Sequence, residues 1–200
     1  ADLLATGADY VALGHFHNYR PLLRAGRLYA AYSGCPEPMR FKETGEHGFL
    51  LGTLGEGVEV TFVPTARRQF HSLELDVSGF RHADDLVPRL LTVAEPERRR
   101  KDFYRIRLTG TRDPEYELDT AELTLRLQEE FYYLELLDAT QPDYDLEALA
   151  GGPETSLQTL FVRRLQQELA AATEERRRRF LAKALQYGLD ALLHRKVTLP

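Results

Sequence analysis

Tryptophan is absent from these 200 residues, and cysteine and methionine occur once each, as Cys35 and Met39. A lone thiol cannot close an internal disulfide, so nothing in the chain calls for an oxidising compartment. No run of about 18 apolar residues occurs, which excludes a hydrophobic membrane-spanning helix. The expectation is a cytoplasmic protein that does not enter a membrane. Lysine is scarce: the 26 basic residues are mostly arginine. The formal net charge of −5 does not by itself mark a nucleic-acid binder. Hydrophobic residues make up 43% of the chain, enough for the core of one or two domains.

What is present concentrates near the start. Tyr10-Val11-Ala12-Leu13 is an apolar run that predicts a strand, and it leads into Gly14-His15-Phe16-His17. Side chains of an extended segment alternate between faces, so His15 and His17 are expected on one side. The glycine before them lets the backbone approach whatever they face. Two imidazoles suit a divalent transition metal, which could hold a hydroxide alone or as half of a two-metal clamp. The competing reading is a pair of surface loop histidines. A second apolar run, Leu28 to Tyr32, enters the turn-rich segment Ser33-Gly34-Cys35-Pro36-Glu37-Pro38. The other histidines, His47, His71, His82 and His194, are scattered, and His47 is expected at the surface of a hairpin.

Four segments follow from pattern and composition. Residues 1–7 read as the tail of a helix with a glycine C-cap. Residues 1–66 read as sheet, with a hairpin of His47–Leu54 and Val58–Val63 around Gly55-Glu56-Gly57. Residues 67–139 read as a small α+β unit in β-α-β-α-β order. Its strands are Phe70–Val77, Phe103–Leu108 and Tyr132–Leu137. Its first helix starts around Asp84-Asp85 and runs through Ala94, with Pro88 tolerable only in the first turn. Its second helix is opened by Asp119-x-x-Glu122 and buries Leu123, Leu127 and Phe131.

Residues 140–156 read as a linker, acidic and rich in turn formers. Residues 157–200 carry nine bases and four acids and read as two amphipathic helices. Leu157, Leu160, Phe161, Leu165 and Leu169 stripe the first, which Thr155-x-x-Gln158 opens. Phe180, Leu181, Leu185, Leu189 and Leu192 stripe the second, over Glu174–His194. Such a pair has too little mutual surface to stand alone, so it is expected to dock on a partner through Leu160, Phe161, Phe180 and Leu185. Arg67 and Arg68, the run Arg98–Lys101, and Arg105 with Arg107 are candidate phosphate contacts. The alternative is a solvated face, favoured at 98–101, where acids flank the bases.

Four stretches together carry a family likeness: DYVALGHFHNYRPL, YAAYSGCPEPMRF, HGFLLGTL and VEVTFVPTARRQFHSLELDVSG. They resemble the closing part of a calcineurin-like metallophosphoesterase, more narrowly the SbcD and YhaO group of DNA repair exonucleases. That family carries a last metal-binding motif G-H-x-H and then a Y-x-G-S-P-E-P turn, where this chain has Cys35 in place of the serine.

The resemblance implies a mixed fold: α/β and α+β, with the C-terminal edge of a metallophosphoesterase β-sandwich over residues 1–66. A small βαβαβ capping, DNA-guiding domain over 67–139 and a C-terminal helical pair would follow. It implies that His15 and His17 are the catalytic, metal-ligating residues, one for each of two divalent ions, manganese by family habit. Arg67, Arg68, Arg105 and Arg107 would be the DNA contacts. The remaining family motifs are absent, so the chain is expected to be the C-terminal portion of a longer enzyme and silent alone. Implied partners are DNA, an SbcC-type ATPase on the C-terminal helices, and a second copy of the chain. Two other readings stay open: a non-catalytic adaptor for an ATPase or DNA, and another phosphoesterase such as a phosphatase or cyclic-nucleotide hydrolase.

Overall fold

The computed structural model describes residues 7–55 and 57–194. The expected helix tail over residues 1–6, Glu56 of the hairpin connection and residues 195–200 lie outside the described residues. The chain mixes helices with several small sheets, and it divides into two compact units. The first comprises the residues up to Asp76 with His82–Leu108 and Leu118–Leu137; the second comprises Val77–Arg81, Thr109–Glu117 and the residues from Asp138 on. The four-part division expected above is therefore not followed: segments 1–66 and most of 67–139 share one unit, and 140–156 belongs with the helices after it.

In the first unit, β1 (Val11–Leu13), β2 (Arg20–Arg24) and β3 (Arg27–Tyr32) form a sheet in the order β1-β3-β2. β1 runs parallel to β3, with Val11 opposite Ala30 and Leu13 opposite Tyr32. The buried Ala30 and Ala31 leave room for close packing at its centre. β2 returns antiparallel to β3 through Ala25-Gly26, both at positive φ, the backbone that a two-residue hairpin loop demands. β4 (Gly48–Leu54) and β5 (Val58–Pro64) form the expected antiparallel hairpin. Gly48 is required there, because a Cβ would fall 1.9 Å from the Val63 carbonyl oxygen.

A further sheet has the order β6-β7-β9, from β6 (Phe70–Asp76), β7 (Phe103–Thr109) and β9 (Tyr133–Asp138). Alternation sorts its faces. Tyr104, Ile106, Leu108, Leu134 and Leu136 are buried, as are Leu86 and Leu90 of α1 (Ala83–Leu91) and Leu123 of α3 (Thr120–Arg126). Asp119 caps α3 as expected, its carboxylate accepting from the Ala121 and Glu122 amides at 2.9 Å. α1 departs from expectation: it starts at Ala83, so Pro88 is its sixth residue, past the first turn. The proline costs one backbone hydrogen bond, and burial of Leu86 and Leu90 on either side offsets it.

The basic run at 98–101 begins inside α2 (Pro96–Arg99), and its three arginines have partners within the unit. Asp102, fully buried, accepts from the Gln69 amide and Arg98 and lies 3.1 Å from His71 Nε2. Arg99 is buried, donates to the Leu91 and Ala94 carbonyls and lies over the Phe131 ring. Arg100 pairs with Glu130.

In the second unit β8 (Thr111–Arg112) pairs in parallel with β10 (Gln141–Pro142). α4 (Leu146–Ala150), α5 (Leu157–Ala171) and α6 (Glu175–Leu193) follow. Their core is Val162, Leu185 and Leu189, with Tyr144, Leu146, Leu149, Phe161, Leu165 and Leu169 packed on it. Two expectations are corrected. The acidic stretch 140–156 is no free linker: Asp145 caps α4, and the Tyr144 hydroxyl donates to Asp190 at 2.5 Å. The helical pair also does not lack a core, because α4 and Tyr144 complete one. The α5 cap is Ser156 rather than Thr155, and the inward face is set by Thr159 and Val162, leaving Leu157 and Leu160 exposed. A polar residue can sit inward because Gly152 makes room: a Cβ there would stand 2.7 Å from the Thr159 hydroxyl.

Candidate metal centre

β1 ends at Leu13, and residues 14–19 form a loop rather than a continued strand. His15 has φ of 92°, an uncommon value for a side-chain-bearing residue. The strict alternation expected to put His15 and His17 on one side therefore does not apply. Both are exposed. The His15 ring meets Phe16 edge-on at 5.6 Å, and Phe16 in turn meets Tyr32 at 4.7 Å.

His17 is fixed at both ends. Its carbonyl accepts from the Cys35 amide at 2.9 Å. Gly34 makes that approach feasible: it has φ of 79°, and a Cβ would fall 2.7 Å from the His17 carbonyl oxygen. The ring is held by Glu43, whose Oε1 lies 2.7 Å from His17 Nδ1. Next in the chain, the Asn18 side chain donates to the Thr44 carbonyl at 2.9 Å.

Glu43 is only 4% exposed. Burial alone would raise its carboxyl pKa. Hydrogen bonds from the Met39 amide, His17 and Arg40 more than reverse this and hold it at about 2. An ionised carboxylate can only accept, so the proton between the two residues belongs to His17 Nδ1. In the neutral imidazole that tautomer puts the lone pair on Nε2.

Nothing in the sequence marked Glu43. It sits in Arg40-Phe41-Lys42-Glu43-Thr44, a polar stretch without periodicity, indistinguishable there from a solvated loop. His47 is a second correction: expected at the surface, it is 1% exposed. Its Nδ1 lies 3.3 Å from Cys35 Sγ and its Nε2 3.2 Å from the Glu43 carbonyl. It is the internal tie between the turn at Cys35 and the loop at Glu43. Pro36 to Pro38 keep that turn stiff.

His17, Cys35 and Glu43 place one ligand atom each within 4.8 Å of one another. Burial pushes the Cys35 thiol up, and the Glu43 charge adds to this. The group therefore offers a protonated thiol and a carboxylate already saturated by donors, beside one well-held imidazole.

The predicted phosphate contacts separate into two kinds. On the outer face of the β6-β7-β9 sheet Arg105 pairs with Glu135 at 2.9 Å and Arg107 approaches Glu74 at 4.0 Å, so their charge is matched locally. Arg67 is exposed, its amide held by Glu37. The Arg68 guanidinium lies 4.0 Å over the Tyr132 ring. The predicted docking residues divide as well. Leu160 and Phe180 are 51% and 61% exposed, whereas Leu185 is buried and Phe161 packs against Gly188. Leu185 is part of the core of the second unit, and Phe161, partly buried, packs on it.

Among the described residues no helix is long and apolar enough to cross a membrane. No protein-family model and no curated protein matches the chain.

Proposed function

We propose that this chain is the C-terminal portion of a calcineurin-like metallophosphoesterase acting on DNA, an exonuclease of the SbcD type. The observation that carries the reading is the bond from His17 Nδ1 to the buried Glu43 carboxylate. Metal-ligating histidines commonly donate their second ring nitrogen to a carboxylate in this way, which fixes the tautomer and raises the basicity of the free nitrogen. Here that arrangement sits in the Gly14-His15-Phe16-His17 loop and turns an ordinary exposed histidine into a prepared ligand.

The donor set fits. His15 and His17 would each hold one divalent ion, manganese by family likeness, with the other ligands supplied by residues upstream. Bound there, the ions would supply Lewis acidity and a hydroxide for attack on a phosphodiester. Glu43 keeps the His17 ring in one tautomer and one orientation. Arg40, hydrogen-bonded to the same carboxylate at 2.7 Å, keeps Glu43 from acting as a ligand itself. The Cys35 thiol stays protonated, so the site is built on imidazole rather than thiolate. Arg67 and Arg68 would contact phosphates. The exposed Leu160 and Phe180 would meet an SbcC-type ATPase.

The test is manganese-dependent degradation of linear DNA by the full-length enzyme. His17→Ala is expected to lower kcat by 100-fold or more, on the order of what loss of a metal ligand removes, and Cys35→Ser to leave it near normal. Near-normal cleavage by His17→Ala would refute the reading.

A further inference from the structure

The loop that carries Glu43 also carries one side of an aromatic surface. Phe41 meets Phe70 edge-on at 4.9 Å and Tyr133 at 6.1 Å, and Phe103 in turn contacts Tyr132 and Tyr133 at 5.3 and 5.6 Å. The two tyrosines are not buried by these contacts: Tyr132 is 51% and Tyr133 44% exposed. Two of the rings are covered by guanidinium planes, Arg68 over Tyr132 at 4.0 Å and Arg105 over Phe41 at 4.1 Å. Arg67 and Lys42 lie exposed in the same two segments.

We infer that Tyr132, Tyr133 and the Arg68 guanidinium form a stacking platform for unpaired nucleotides of a DNA end. The inference rests on the proposed action on DNA and names the form of DNA engaged. Two consecutive tyrosines that stay half exposed, one of them stacked under a guanidinium, make a patch that is both aromatic and cationic. A ligand that is flat and anionic matches both halves of the patch. Bases stack on tyrosine rings and on arginine planes alike, and phosphates take the adjacent cations. Between its ends a duplex presents no base faces, so the platform favours single strands. A protein partner is the less suitable occupant, because the rings are overlaid by arginine and flanked by cations rather than by aliphatic side chains. The position is also apt: Phe41, which supports Tyr133, is two residues from the carboxylate that orients His17.

The test is binding of a fluorescein-labelled 12-residue oligothymidylate to the whole chain in EDTA, read by fluorescence anisotropy of the label. A 12-base-pair duplex and heparin are the controls. The expected result is preference for the single strand and a loss of about tenfold or more in affinity for the Tyr132→Ala/Tyr133→Ala pair. Tyr132→Phe/Tyr133→Phe, which keeps both rings, should retain binding with circular dichroism unchanged. No single-strand binding, heparin binding of equal strength, or an alanine pair that binds like wild type would each overturn the platform. Because metal is absent, catalytic failure is scored separately: oligothymidylate binding in an enzyme that cleaves nothing with manganese overturns the nuclease reading and leaves the platform standing.

Discussion

At the residue scale the proposed metal chemistry rests on two side chains that the sequence presents very differently. His17 was visible, because Gly-His-x-His after an apolar run is a recognisable pattern. Glu43 was not, since a buried carboxylate looks like any solvated one until the chain brings it under a ring 26 residues away. Alternation does not extend to the histidine pair for a related reason. The strand stops at Leu13, and the positive φ at His15 breaks the pleat. The Glu43 bond gives a residue-scale prediction. Glu43→Gln keeps the shape but removes the charge, and it should weaken manganese binding by the full-length enzyme about 10- to 100-fold. Unchanged affinity in a calorimetric titration would mean that the carboxylate is structural only.

Periodic elements were the legible ones. The hairpin of β4 and β5 and the alternating strands β6, β7 and β9 were readable because one face of each carries most of the burial. The Asp119 cap of α3 was readable because its chemistry is local. α5 is legible in part: Phe161, Leu165 and Leu169 of its expected stripe pack on the core, while Leu157 and Leu160 stay exposed because partners decide the inward face. Gly152 admits Thr159, and Phe161 fits against Gly188, where a Cβ would come 2.1 Å from the ring. Gly188→Ala should accordingly destabilise the second unit by about 1–3 kcal/mol through overpacking, measured as a lower urea midpoint.

A pH effect belongs to the same helices. Burial and the hydrogen bond to Asp190 raise the Tyr144 phenol above its usual 10.0. The unfolded chain therefore releases this proton first. The stabilisation it gives is intact below pH 10 and is lost as pH rises through the folded-state value. Relative to Tyr144→Phe, wild-type stability should hold level up to pH 10 and decline above it; a gap that stays constant to higher pH would contradict the bond.

For the whole molecule, the acidic stretch 140–156 reads as a linker before the basic helices of 157–200, but the structure keeps both in one unit. The acidic segment supplies α4 and Tyr144 to the core of the unit it was expected to tether. The proposed partner docking is narrowed to the side chains that stay exposed, Leu160 and Phe180. Leu160→Asp with Phe180→Asp should abolish co-purification of the full-length enzyme with an SbcC-type ATPase while leaving the thermal midpoint within a few degrees, about the effect of surface substitutions. Retained co-purification would remove the helices from the interface.

The metal claim has the most direct test of all. Manganese titration of the full-length enzyme, followed by loss of the free-ion paramagnetic resonance signal, should show two bound ions for wild type. His17→Ala should bind one ion fewer or bind it at least tenfold more weakly, about what removal of one ligand costs. Two ions bound by His17→Ala with wild-type affinity would contradict the account.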